Sequence, residues 1–248
     1  MNRWVQGPIR TAAIWGTYFR ATCFDYSGQP LMSTILPTIH AHSMSTARIR
    51  SHLRDLRHSL DEEDRRQKSL AIARNLVRFL PFQRATQIAV YASINDEVDT
   101  EPLIQLAVDL GKHLFLPIIN KASWRDQSML FHQFTPGETR LKKNQFGILE
   151  PEHRPGTPVP GTQLELICVP MVGFNQRCDR IGMGAGYYDR AFAKPSYKKS
   201  ILVGLAFACQ EAEFTAEPHD VPMQAVITEF GILKPALGKP SQGKQWDK

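Results

Sequence analysis

The chain has 248 residues, 42% of them hydrophobic, and carries 30 lysines and arginines against 24 acids, a formal net charge of +6. That length can bury a real core, as one large α/β domain or two small ones, and we read one. The basic residues are dispersed rather than gathered into a stripe interleaved with aromatics, which argues against a nucleic-acid partner, and no apolar run reaches the ~20 residues of a membrane span.

Segment 1–43 stands apart: it holds Arg3, Arg10 and Arg20, the single acid Asp25, no lysine, and aromatics without a period. Two readings fit it. Either Met44 is the working start and the upstream residues extend a gene model, or an acid-poor, Arg-bearing segment targets the chain to an organelle. A single folded domain is expected over 44–233. Ser59 and Glu62 have capping-box spacing ahead of Leu70, Ala71, Ala73, Leu76, Val77 and Leu80, which predicts a helix of about five turns ending at Pro81. Residues 87–93 form a short β-favouring run, and Thr100 is positioned to cap a helix through Leu103, Leu106 and Leu110 that stops at Gly111. Further strands are expected at 113–117, 164–170, 201–206 and 225–228. Residues 121–127 and 151–161 read as irregular surface connections, the second carrying Pro151, Pro155, Pro158 and Pro160. From Lys234 to Lys248 the chain has too little apolar content to order itself, so a flexible tail is expected.

Nearly continuous apolar strands separated by helices imply an α/β fold: three layers, a mostly parallel sheet with helices on both faces, Rossmann-like. Ligands then belong at the carboxyl ends of the strands. The four cysteines, Cys23, Cys168, Cys178 and Cys209, have neither a C-x-x-C pair nor zinc spacing, so inert thiols in a reducing compartment are expected. No P-loop, dinucleotide fingerprint, H-E-x-x-H or G-x-S-x-G occurs. What remains is Arg180-Ile181-Gly182-Met183-Gly184-Ala185-Gly186-Tyr187-Tyr188-Asp189-Arg190. Alternate glycines let successive N–H groups approach an anion, and a strand before with a helix after would add the helix dipole. Taken alone, Asp189 is equally at home as an acid in a helix's first turn, and Glu97 beside Asp96 as an ordinary acidic loop.

The same loop resembles the nucleotide loop of the 5-formyltetrahydrofolate cyclo-ligase family, also called 5,10-methenyltetrahydrofolate synthetases. Ser93–Thr100 is similar to that family's S-x-x-x-E-[IV]-x-T segment, with Pro102-Leu103-Ile104 following as in many bacterial members. Asn144–Pro151 is similar to N-x-x-G-I-x-E-P, Val169–Phe174 leads into the loop as P-x-[VL]-[AG]-F does, and His219–Met223 resembles [HW]-D-[IV]-P.

The resemblance implies a single α/β domain of the NagB/RpiA/CoA-transferase-like type and an ATP- and Mg²⁺-dependent closure of 5-formyltetrahydrofolate to 5,10-methenyltetrahydrofolate. By the same resemblance Arg50 and Arg180, Ile181, Gly182, Met183, Gly184, Ala185, Gly186, Tyr187 and Tyr188 bind ATP. Asp189 and Asp220 hold Mg²⁺, while Glu97 binds the pterin with Ala92 at a neighbouring pocket position. The lysine usual four positions before Arg50 is Thr46 here, and Arg48 is the alternative source of charge. A monomeric cytoplasmic enzyme is expected, or a mitochondrial one if the leader is a transit segment. Two other classes remain open: an α/β relative acting on a sugar phosphate or acyl-CoA, and a nucleotide- or RNA-binding relative without catalysis.

Overall fold

A computed structural model describes residues 45–119, 129–152, 158–159 and 163–235. Helices α1 (Thr46–His58), α2 (Glu62–Val77) and α3 (Leu80–Arg84) precede strand β1 (Gln87–Ala89), and α4 (Glu101–Asp109) leads to β2 (His113–Ile119). Then come β3 (Met129–Phe134), β4 (Leu141–Lys143), β5 (Leu149–Pro151), β6 (Pro158–Val159), β7 (Leu166–Pro170), β8 (Gly173–Phe174) and β9 (Arg180–Ile181). Helix α5 (Tyr187–Phe192) and strands β10 (Ile201–Leu205), β11 (Ala225–Thr228) and β12 (Gly231–Leu233) complete it.

The main sheet runs β12-β11-β10-β7-β1-β2-β3-β6 among the described residues. The five central strands, β11 to β2, are parallel, and β12, β3 and β6 join antiparallel at the edges. Each central strand alternates sides. Ile88, Leu114, Leu116, Leu166, Cys168, Val203, Leu205, Ala225 and Ile227 face one core, closed by Ile72 and Leu76 of α2, Phe82 of α3 and Leu103 and Ile104 of α4. Ala89, Phe115, Ile167, Val169, Leu202 and Val226 face a second core with Ala191 and Phe192 of α5. Burial on both faces is why these strands read as unbroken apolar runs; each fully buried Leu, Ile or Phe contributes about 1.5–3 kcal/mol.

Several expectations change in detail. Asp61, not Ser59, caps α2 by accepting the Asp64 N–H at 2.7 Å, with Glu62, Glu63 and Asp64 reinforcing the first turn. Ser59 ends α1 instead, its Oγ donating to the Leu56 carbonyl. Thr100 stands at the N-cap of α4, yet its hydroxyl donates to the Tyr91 carbonyl, and Asp99 accepts the Glu101 N–H in its place. Gly111 does take the left-handed conformation that ends α4 (φ 68°). Within 151–161, Pro158 and Val159 pair with β3 rather than forming a loop; at a sheet edge a proline removes no ladder bond.

Cys168 and Cys178 are buried free thiols and Cys209 is half-buried; burial pushes Cys168 up to about 12 and Cys178 to about 11. Cys23, segment 1–43 with Met44, residues 121–127 and most of the tail lie outside the described residues. Lys234, at the start of that tail, stands 5.6 Å from the Phe79 ring centre. No helix among the described residues is long and apolar enough to cross a membrane.

Candidate active site

From β1 the chain moves to β2 and onward to one side, then returns as β7 on the other side of β1. The order therefore reverses between β1 and β7, and the crevice at their carboxyl ends is where an open α/β sheet binds ligands. A cleft of about 400 Å³ opens there. It is lined by the loop after β1, including Tyr91, Ala92, Ile94 and Glu97, by Pro170 and Met171 at the end of β7, and by the whole of Arg180–Asp189. Arg50 and Thr46 of α1, Asp220, and Asn144 and Phe146 at the tip of the β4–β5 hairpin complete the wall. Every residue implicated by the resemblance thus lines one cavity.

The loop after β1 is braced from within. Tyr91 donates its hydroxyl to the Val98 carbonyl at 3.3 Å, and the Asp99 N–H reaches Ser69 of α2 at 3.0 Å. Ile94 to Glu97 form a turn closed by the Glu97 N–H on the Ile94 carbonyl (3.1 Å), while Glu97 Oε2 accepts the Ile94 N–H (3.2 Å). Asn95 takes a positive φ of 52°, which asparagine tolerates better than most side chains. Burial raises the Glu97 carboxyl above its usual range, outweighing the Ile94 hydrogen bond and the positive Arg57 nearby.

The glycine loop does not follow β7 directly, as expected from the sequence. A β8–β9 ladder intervenes, Gly173 facing Ile181 and Phe174 facing Arg180, and Asn175 closes its turn by accepting the Arg177 and Asp179 N–H groups. This ladder sends Gly182–Gly186 over the cleft. Arg50 Nε donates to the Gly182 carbonyl at 2.9 Å. A Cβ on Gly182 would lie 2.6 Å from Arg180 Nη1, so the bare glycine makes room for that guanidinium. Gly184 and Gly186 take φ of 98° and 67°, conformations that a side chain would strain. The expected help from a helix dipole is small, because α5 has six residues.

Arg180 and Asp189 do not face the cleft as separate charges. Arg180 Nη2 donates to Asp189 Oδ1 at 2.5 Å. Arg180 is 6% exposed, and its Nε is buried without a hydrogen-bond partner in the protein. Its guanidinium sits 5.8 Å from the centre of the Tyr188 ring, and Arg190 sits 5.1 Å from that of Tyr187. Burial pushes the Tyr188 phenol well up, with the charge of Glu97 adding to the effect. Asp220 holds its own turn, Oδ2 accepting the Glu217 N–H at 2.9 Å, with His219 Nε2 3.9 Å from Oδ1.

Some cleft residues carry no individual signal in the sequence. Asn144 donates to Glu150 at 2.7 Å and accepts the Phe146 and Ile148 N–H groups, which sets the hairpin tip so that Phe146 meets Tyr187 edge-on at 6.2 Å. The spacing Asn144-x-x-Gly147 marks a turn without marking what the turn covers. Met129, Phe214 and Thr215 also line the cavity, and no periodicity or motif singles them out.

A doubly wound α/β sheet with a glycine loop and acidic groups around its switch-point crevice is the architecture of an α/β protein that takes a small molecule at that crevice. Residues 42–229 match the 5-formyltetrahydrofolate cyclo-ligase family model, and the chain belongs to that family. The Haemophilus influenzae 5-formyltetrahydrofolate cyclo-ligase is 32% identical over 180 residues, spanning 72% of this chain and 95% of its own. The Escherichia coli protein of the same name is 31% identical over 177 residues, spanning 71% and 96%. In solution, Aquifex aeolicus 5,10-methenyltetrahydrofolate synthetase has a similar fold, with a TM-score of 0.67 at 27% identity over 83% of this chain and 100% of that one. Membership makes the chain a ligase of folate one-carbon chemistry.

Proposed function

We propose that this cleft closes 5-formyltetrahydrofolate to 5,10-methenyltetrahydrofolate with consumption of ATP, releasing ADP and phosphate. The observation that carries the reading is the convergence of Glu97, Arg50, the glycine loop, Asp189 and Asp220 on one cavity. A formamide carbon is a weak electrophile. Its oxygen attacks the γ-phosphorus and displaces ADP; N10 then bonds to the activated carbon and gives up its proton to solvent, and the oxygen departs as phosphate. The protein's share is positioning and charge compensation, not a dedicated acid–base pair.

Gly182–Gly186 offer main-chain amides to the phosphates, and Arg50 steadies their path through the Gly182 carbonyl. Arg180, with an unpartnered Nε, has donors to spare for an anion. Glu97 accepts hydrogen bonds from adjacent pterin donors, and Ala92 leaves the space beside it open. Among the described residues no group of three acidic, histidine or cysteine side chains could hold a metal, and we assign Mg²⁺ to the carboxylates of Asp189 and Asp220, which line the cleft. That suits this cation, which keeps phosphate oxygens and water as its remaining ligands. Bound there, it would offset charge on the triphosphate. Asp189 would have to loosen its bond to Arg180 to take part, leaving the arginine to the phosphates. We read the enzyme as a monomer and place it in the cytoplasm.

The test is turnover by the full chain with 5-formyltetrahydrofolate, ATP and Mg²⁺, followed by methenyltetrahydrofolate absorbance and by ADP release. Equal amounts of both products are expected, and absence of both refutes the reading. Asp189→Ala should lower kcat at least about a hundredfold while the protein stays folded; near-normal turnover would remove Asp189 from the metal site.

A further inference from the structure

Arg57 lies on α1 two turns beyond Arg50 and is 4% exposed, although it is an arginine. Among the described residues its Nη2 donates to Asp96 at 3.4 Å and its Nη1 to the Met171 carbonyl at 3.5 Å, while its Nε lies 3.3 Å from the Asp96 carboxylate as an ion pair without a hydrogen bond. Asp96 belongs to the turn that presents Glu97. An arginine costs several kcal/mol to bury and gains it back only with a good partner, so Asp96 is fixed wherever α1 sets Arg57. Glu97 is the next residue, and the turn's own bonds are one backbone contact of 3.1 Å and one of 3.2 Å from the Ile94 N–H to the Glu97 carboxylate, around Asn95 at positive φ. Arg57 adds to these a tie from α1 at the one turn residue next to Glu97.

We propose that Arg57 is a positioning residue for Glu97: by fixing Asp96, it aims the neighbouring carboxylate into the cleft. The inference rests on the reading that Glu97 receives the folate. It assigns Arg57 a role distinct from that of Arg50, which serves the phosphate loop from the same helix.

Arg57→Met keeps the length and apolar stem of the side chain and leaves Asp96 on a turn where water can reach it. In the full-length enzyme it should raise the KM for 5-formyltetrahydrofolate about tenfold while the KM for ATP changes less than about twofold. Arg57→Lys should recover most of the loss. In an Glu97→Gln background the Arg57→Met change should have little further effect on folate affinity, whereas in an Arg50→Ala background it should retain its full effect. If Arg57→Met proves poorly folded, the isosteric Asp96→Asn is expected to move the folate KM in the same direction with the ATP KM unchanged. Parallel rises in both KM values mean that α1 has loosened as a whole and overturn the proposal, as does additivity with Glu97→Gln. A wild-type enzyme inert toward 5-formyltetrahydrofolate would instead overturn the functional reading, and this proposal with it.

Discussion

Glu97 illustrates what a single side chain concedes to a site. Burial holds its carboxyl above the ordinary range, so the folded protein binds that proton more tightly than the unfolded chain does. The unfolded chain ionises the group near pH 4.3, and as pH rises past that point the fold retains a proton the open chain has already released. Stability from this group is therefore present in acid and lost as pH climbs through the raised folded pKa. Glu97→Gln should accordingly melt higher than wild type at pH 7.5, and the gain should vanish below about pH 4. Thermal unfolding at both pH values checks this, and a lower melting temperature at pH 7.5 would contradict it. At the same scale, Arg180–Asp189 were legible because spacing and resemblance both marked them, and Arg50 through the resemblance alone. Arg57 and Asp96 were not: a helix-face arginine and one acid in an acidic loop look solvated until the fold buries them together.

Among the elements, α1 has the least sequence signal for its importance. Its buried face is Ile49 and Leu53, packed on Val172 and Ile181. Leu53 comes so close to the β8 backbone that a Cβ on Gly173 would lie 2.3 Å from Leu53 Cδ1. Gly173→Ala should lift α1 at a cost of about 1–3 kcal/mol. Because Arg50 and Arg57 ride on this helix, both KM values should rise, the pattern that separates it from Arg57→Met. Unchanged kinetics with lowered stability would mean that the helix re-seats without disturbing the cleft. Parallel strands such as β7 and β11 were readable because both faces are buried. The two-residue strands β8, β9 and β6 were not, since so short a segment has no period and is defined only by its partner. In the same way, the resemblance marked Asn144–Pro151 as a unit without revealing a hairpin that closes one wall of the cleft.

At the scale of the molecule, the site belongs to the topology more than to any segment. Its parts come from α1, from the loops after β1, β7 and β9, from the β4–β5 hairpin and from the stretch between β10 and β11, and they meet where the strand order reverses. A ligand bridging those parts should therefore stabilise the whole fold. A non-hydrolysable ATP analogue with Mg²⁺ at about a hundred times its Kd adds ~2.7 kcal/mol, which is roughly 5–10 °C in melting temperature for a domain of this size. Asp189→Ala should abolish the part of that shift that depends on Mg²⁺. A shift of equal size with and without the cation would count against a metal held by Asp189.

The seat of α1 also bears on how the chain is made. Arg50 and the carbonyl it grips are 132 positions apart, and the surface that covers Leu53 begins only at Val172. At usual translation speeds the helix spends on the order of ten seconds outside the ribosome before that surface exists. During that interval its apolar stripe is open to water and to any passing chaperone. The part of the molecule that reaches both halves of the site is thus the first of the described elements to be synthesised and among the last to find its place.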